Sequence, residues 1–233
     1  MARSSADNSI LWARGLTKAF GQVPVLRNLT VGIYDGEATA ITGARGGGKS
    51  TLLHCLAGIL RPDSGEVWFN SRPLHTLPDK ARARLRQQWF GLVFPEGQLV
   101  AELTAAENVA LPLLFPGRDR SGAFSEAKAW LERLDALDCA ELRADQLTRD
   151  QTQRVAIARA LVTSPRVIFA DNLSEGLCGR EVDSILRLLL AIIRSLGTTL
   201  LLTTCDPRVT AYTDRELILR NGQMTSTGNQ AWL

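Results

Sequence analysis

The sequence predicts an α/β domain built on a mainly parallel sheet, with a helical subdomain inserted between two sheet strands. Three observations point there. Short, wholly apolar runs such as Val167–Ala170 alternate with helical patterns, as in a parallel sheet covered on both faces. A glycine-rich turn, Gly43 to Thr51, joins one such run to a helix. Residues from Thr104 to about Leu142 keep a helical pattern although they fall between two strands, so they would bulge out of the sheet.

Taken in chain order, residues 1–9 are short and polar and read as a flexible tail, leaving 10–233 as a single domain with its helical part at about 96–150. Ala38–Thr42 reads as a strand. Ser50–Leu60 reads as an apolar helix, stopped by Arg61-Pro-Asp-Ser-Gly65. Glu66–Phe69 reads as another strand, and Gly91–Phe94 is a further short apolar run. The helical stretch after Thr104 is interrupted at Pro112 and at Pro116-Gly117. Asp150–Val162 is a helix ended by Ser164-Pro165, Val167–Ala170 a buried strand, Glu181–Ser195 a helix and Thr198–Thr203 another buried strand. Glu216–Leu219 followed by Asn221-Gly222 reads as a hairpin.

Composition narrows the function classes. Of 233 residues, 45% are hydrophobic and 22% charged, which suits a soluble globular domain with a sizeable core. A net charge of +3 over this length is too weak to indicate nucleic acid, so no nucleic-acid partner is expected. The densest basic run, Lys80 to Arg86, reads as a solvated helix face. The opening residues carry no signal-peptide pattern, and the most apolar region, Ile185–Leu202, is broken by Arg187 and Arg194. The chain is therefore expected to be cytosolic, or held at a membrane through a partner. Cys55, Cys139, Cys178 and Cys205 have no metal-ligand spacing and read as reduced thiols.

The turn is the strongest chemical signal. Gly43-Ala44-Arg45-Gly46-Gly47-Gly48-Lys49-Ser50-Thr51 fits GxxxxGK[ST] between a strand and a helix, the P-loop arrangement. Glycines let backbone N–H groups turn inward around an anion, and the helix N-terminus adds partial positive charge. Lys49 would reach the β- and γ-phosphates of a nucleotide, and the Ser50 hydroxyl would ligate Mg²⁺. Asp171, at the end of the Val167–Ala170 strand, would supply a second magnesium contact through water. ATP and Mg²⁺ are the expected cofactors.

Further residues fall into one pattern. Phe20 lies in Leu16-Thr-Lys-Ala-Phe20-Gly21, Leu147-Thr-Arg-Asp-Gln151 precedes Gln153-Arg-Val-Ala-Ile-Ala-Arg-Ala-Leu161, and Thr204-Cys205-Asp206-Pro207 follows the last buried strand. With the P-loop and Asp171, these resemble the nucleotide-binding subunit of an ATP-binding-cassette (ABC) transporter from about Leu11 to Gln223. Leu103-Thr-Ala-Ala-Glu-Asn-Val-Ala-Leu-Pro-Leu113 resembles the group serving macrolide export, lipoprotein release and the cell-division complex.

The resemblance implies an ABC-type P-loop ATPase fold with a small antiparallel β-subdomain beside the core sheet. It implies a second nucleotide-binding subunit, in a homo- or heterodimer, and integral membrane permease subunits on which the helical subdomain docks. The chain would then sit at the cytoplasmic face of the cell membrane. Phe20 would stack on adenine. Thr148, Arg149, Asp150 and Gln151 would form the signature that meets the partner's nucleotide.

The chain also departs from the family. Asn172 stands where the family has its catalytic Glu, Cys205 for the switch His, Pro95 for a Gln that senses Mg²⁺ and water, and Cys178 for an Asp closing the following loop. Arg149 and Asp150 replace the two signature glycines. An amide cannot act as a base, a loss worth about 10²–10⁴ in rate. A thiol is a weak donor beside a γ-phosphate. Pro95 offers neither an amide side chain nor a backbone N–H. Asp150 adds negative charge at a helix N-terminus that should meet ATP, and Arg149 would offset it only by pointing inward. Thr148 and Gln151 still read as a capping box.

The groups that bind ATP are thus kept and those that cleave it are replaced. The leading expectation is an ATP-binding transporter subunit that hydrolyses poorly or not at all. The alternatives are the regulatory half of a heterodimeric ATPase whose partner carries one active site, and a soluble ATP-binding adaptor.

Overall fold

The computed structural model describes residues 9–225. Most of the tail read at 1–9 therefore lies outside the described residues, and Ser9 opens a strand. Two sheets form. The first is antiparallel, in the order β2-β1-β4-β5, from β1 (Ser9–Phe20), β2 (Val23–Tyr34), β4 (Ser64–Phe69) and β5 (Arg72–Pro73). The second runs β10-β9-β3-β8-β7-β6, from β3 (Ala38–Thr42), β6 (Phe90–Val93), β7 (Val167–Ala170), β8 (Thr199–Thr204), β9 (Arg215–Arg220) and β10 (Gln223–Thr225). Within it β9, β3, β8, β7 and β6 are parallel neighbours, and only β10 is antiparallel. The mainly parallel core sheet is as the apolar runs predict.

Period-two patterning divides the core. Ile168 and Ala170 of β7 and Leu200 and Leu202 of β8 join one buried cluster, while Val167, Phe169 and Leu201 join another on the opposite face. The first cluster is covered by α3 (Ala105–Leu114), α4 (Arg120–Arg133), α5 (Arg149–Leu161) and α6 (Gly179–Leu196). The second is shared by the antiparallel sheet and α1 (Lys49–Leu56). Two further helices are short or peripheral, α2 (Asp79–Trp89) and α7 (Pro207–Thr210). Helix α6 shows how the pattern dictates burial: Val182, Ile185, Leu186, Leu189, Leu190 and Ile193 recur at helical spacing and are all buried.

Register places the site. Thr42 pairs with Thr204, and Ala170 pairs with both Leu202 and Val93, so β3, β8, β7 and β6 end on one edge. The segments leaving that edge are Gly43 onward, Cys205, Asp171 and Pro95. Ligands of open parallel sheets bind outside such carboxyl ends.

Several boundaries differ from expectation. Helix α1 stops at Leu56, with Gly58 at φ 64 turning the chain, earlier than the Arg61–Gly65 stop signal. Pro112 does not interrupt its helix. It lies inside α3, whose start is fixed by a complete Thr104–Glu107 capping box. Buried Asn108 anchors the same helix, its Nδ2 donating to the carbonyls of Val100, Leu103 and Thr104. Leu16–Phe20 is strand, the turn falling at Gly21-Gln22. The hairpin at Asn221-Gly222 forms, with φ of 50 and 76 at its two turn residues.

Candidate functional site

The cradle is built by β3, the loop 43–48 and the start of α1. Gly43 has φ 146, and a β-carbon there would collide with the Leu219 carbonyl. Gly48 caps α1 at φ 94 with no side chain to compete for the helix N-terminus. The Ala44 carbonyl accepts from Gly47 N–H at 3.1 Å, closing the loop. Lys49 is buried. Its Nζ donates to the Gly43 and Ala44 carbonyls, both at 2.9 Å, and to Cys205 Sγ at 3.2 Å. All three ammonium protons are therefore engaged, two by carbonyls of the phosphate loop and one by the thiol that follows β8.

Asp171 meets this cradle from β7. It is only 2% exposed. Its Oδ1 accepts from Ser50 Oγ at 2.8 Å and from Thr203 Oγ1 at 2.6 Å, and His54 Nε2 lies 3.4 Å from Oδ2, an ion-pair distance without hydrogen-bond alignment. Burial works to raise the Asp171 pKa, but the contacts with His54, Thr203 and Ser50 outweigh it, so the carboxyl lies below its ordinary value and is ionised.

Ser50 and Asp171 are hard oxygen donors at one edge of the cradle. Magnesium takes one or two such protein oxygens and completes its shell with waters and phosphates. The donor set fits that ion in that role. No cluster of three or more potential metal-ligating His, Cys, Asp or Glu side chains occurs among the described residues.

Asn172 is the next residue, at φ 51. Its N–H donates to Thr203 Oγ1 at 2.9 Å, and its Nδ2 donates to Glu175 Oε2 at 2.6 Å. Glu175 Oε1 lies 3.6 Å from Arg45 Nη2 on the phosphate loop. Cys205 is exposed and accepts from Lys49. Pro95 begins a turn after β6 in which Glu96, Gly97 and Gln98 all have positive φ. Arg159 of α5 clamps that turn, donating to the Gln98 carbonyl at 3.0 Å and the Gly97 carbonyl at 2.7 Å.

The Leu147–Gln151 segment caps α5. Thr148 Oγ1 accepts from Gln151 N–H at 3.2 Å and Gln151 Oε1 accepts from Thr148 N–H at 3.0 Å. Asp150 does not present a free charge: its Oδ2 accepts from buried Arg154 Nε at 2.6 Å, one turn along the same helix. Arg154 is itself held by the Leu134 carbonyl and Ser184 Oγ. Arg149 does not offset Asp150. It reaches away, donating to the Gly176 carbonyl at 3.3 Å.

Beside the loop lies a cavity of about 970 Å³ lined by Val25, Arg27, Ala44, Gly46, Cys205 and Glu216, among others. That is the scale of a nucleotide site. Phe20 is exposed and lies outside this lining, but it pairs across β1 and β2 with Val23, which belongs to it. Thr203, His54, Glu175 and Arg154 were not legible as site residues. Thr203 and His54 reach Asp171 only through the fold, while Glu175 carried a local signal, a carboxylate one turn after Asn172.

A strand, a glycine loop closed on a buried lysine, and a serine bonded to a strand-end aspartate define a P-loop nucleotide-binding domain. Residues 26–175 match the family model of the ABC transporter. The chain belongs to that family, as an ATP-binding subunit. It is similar to the dimeric structure of MJ0796, a bacterial ABC transporter cassette, at 31% identity and a TM-score of 0.87, over 93% of this chain and 97% of that one. It is similar at 30% identity and the same TM-score and coverage to MJ0796 in a dimeric post-hydrolysis state bound to ADP and Pi. It is also similar to cbiO1 from Clostridium perfringens, part of the ABC transporter complex cbiONQ, at 29% identity and a TM-score of 0.85, over 96% of this chain and 89% of that one. Among the described residues no helix is long and apolar enough to cross a membrane.

Proposed function

We propose that this chain binds Mg-ATP in the cradle around Lys49, with Ser50 and Asp171 as the metal-side oxygens, and hydrolyses it slowly or not at all. The observation that carries the reading is the split within the site. Lys49, Ser50 and Asp171 stand in a bonded constellation, whereas an amide, a thiol and a proline stand at Asn172, Cys205 and Pro95. When bound, Mg²⁺ would neutralise phosphate charge beside Ser50 and Asp171. ATP would act as a clamp, stabilising the nucleotide-bound form by mass action without turnover. Phe20 would cover adenine at the cavity rim, and Thr148 to Gln151 would face a partner's nucleotide across a dimer.

In this reading the chain works as one of two nucleotide-binding subunits on a membrane permease of the macrolide-export, lipoprotein-release and cell-division type, at the cytoplasmic face of the membrane. A groove of about 330 Å³ between α2, β6, α3 and α5, lined by Phe90, Leu92, Phe94, Pro112, Phe115 and Arg159 among others, suits an inserted permease segment. A mixed dimer in which this chain is the regulatory half is favoured by one observation. Arg154 neutralises Asp150 in its own helix, so this signature adds no unpaired charge to a partner's site.

Equilibrium ATP binding and phosphate release, measured on the same purified sample with and without Mg²⁺, test the reading. Saturable, Mg-strengthened binding with slow release supports it. Absence of nucleotide binding would end it.

A further inference from the structure

We infer that Glu175 is the carboxylate that acts on the attacking water in this chain, with Asn172 as its positioning residue; this rests on the reading that ATP binds in the cradle. The geometry starts from Asn172. Asp171 accepts from Ser50, so the chain leaves β7 beside the cradle, and Asn172 is the next residue. Asn172 cannot accept a proton, but it can donate, and its Nδ2 reaches Glu175 Oε2 at 2.6 Å. A carboxylate oxygen therefore lies one hydrogen bond from the tip of that side chain.

The backbone directs it there. Asn172 at φ 51 and Gly176 at φ 76 bracket a tight turn closed by Glu175 N–H on the Asn172 carbonyl at 3.0 Å. The turn folds Glu175 back over Asn172. The other oxygen, Oε1, sits 3.6 Å from Arg45 Nη2, on the phosphate loop itself. The carboxylate thus spans from the strand end to the cradle. With its side chain 36% exposed it keeps access to water, and an ionised carboxylate has lone pairs beyond those used here.

The competing reading is a local turn contact with a weak rim ion pair to Arg45, whose side chain is 84% exposed. The two differ in what Glu175 faces. In the step inferred, Glu175 removes a proton from water as the water oxygen bonds to the γ-phosphorus. The bond from that phosphorus to the β–γ bridging oxygen breaks, and its electron pair leaves with ADP. The proton rests on Glu175 and is released to solvent. Asn172 only holds the base. Turnover stays slow because Cys205 and Pro95 still stand at the other γ-phosphate positions.

The test uses the full chain with Mg-ATP, comparing it with Glu175→Gln and Asn172→Ala. Single-turnover hydrolysis gives the rate; titration with ATP and separately with ADP gives a readout independent of activity. Glu175→Gln is expected to lower the rate by about tenfold or more. It is also expected to tighten ATP by about threefold or more with ADP unchanged, because a negative charge beside the γ-phosphate is removed. Asn172→Ala is expected to lower the rate while ADP affinity holds. An unchanged rate and an unchanged ATP-to-ADP affinity ratio in Glu175→Gln would show a turn contact only. Nucleotide binding with no turnover above background in the unmodified chain overturns the base role and leaves ATP binding standing. Failure to bind either nucleotide overturns both.

Discussion

Lys49 Nζ lies 3.2 Å from Cys205 Sγ, so the lysine of the phosphate loop and the thiol that leaves β8 share the mouth of one cradle. An adduct on this sulfur would occupy the space a nucleotide phosphate needs. Iodoacetamide treatment is therefore expected to weaken ATP binding, and prebound Mg-ATP to slow the labelling. The other thiols make the experiment clean. Burial pushes Cys55 up to about 12 and raises Cys139 as well, so neither supplies much thiolate. Cys178 is exposed and is removed by Cys178→Ser. Mass spectrometry should then find one labelled site, at Cys205.

Asp171 links the site to pH. Its folded pKa is lowered from the ordinary 3.8, so its bonds contribute stability that is fully present above that value. The contribution is lost as pH falls through the lower, folded value. Asp171→Asn lacks this titration. The stability gap between the two proteins in urea should therefore be constant near neutrality and shrink in acid below about 4.

Arg154 and Asp150 form a pair in which Arg154 is buried and Asp150 is mostly covered. Removing one partner leaves the other charge uncompensated. Arg154→Ala is expected to cost about 3 kcal/mol, and Asp150→Asn less, because the amide can still accept from Arg154. Chemical denaturation of both variants checks this order.

Phe169 is fully buried on β7, with Phe90 against it at 5.0 Å between centroids and Phe69 against Phe90 at 4.7 Å. Phe169→Ala should cost about 3–5 kcal/mol in a denaturation experiment, because the cavity lies between the two sheets and cannot collapse.

How much was legible in the sequence followed burial. Val167–Ala170 was readable to the residue because a strand buried on both faces is a continuous apolar run, and Ala38–Thr42 because it leads straight into the glycine-rich turn. Strands β1 and β2 were not, since register shifts along their pairing break the alternation that a reader looks for. Pro112 looked like a break because local propensity disfavours it, but the Thr104 cap and buried Asn108 hold the helix around it. In the site, Lys49, Ser50 and Asp171 were legible from motif spacing. Thr203 reaches Asp171 only through the β7–β8 register, and Arg154 reads as an ordinary helix arginine until its burial is known. The free charge expected at Asp150 shows the same limit, because an i, i+4 partner cancels it.

The most direct test of the account is turnover per bound ATP in the purified chain, measured beside an Asn172→Glu, Cys205→His double variant. Expected are saturable ATP binding in both, turnover that is slow but measurably above background in the unmodified chain, and a faster double variant. Brisk hydrolysis by the unmodified chain alone would contradict it, since Asn172 and Cys205 would then stand in a site that needs neither a Glu nor a His at those positions.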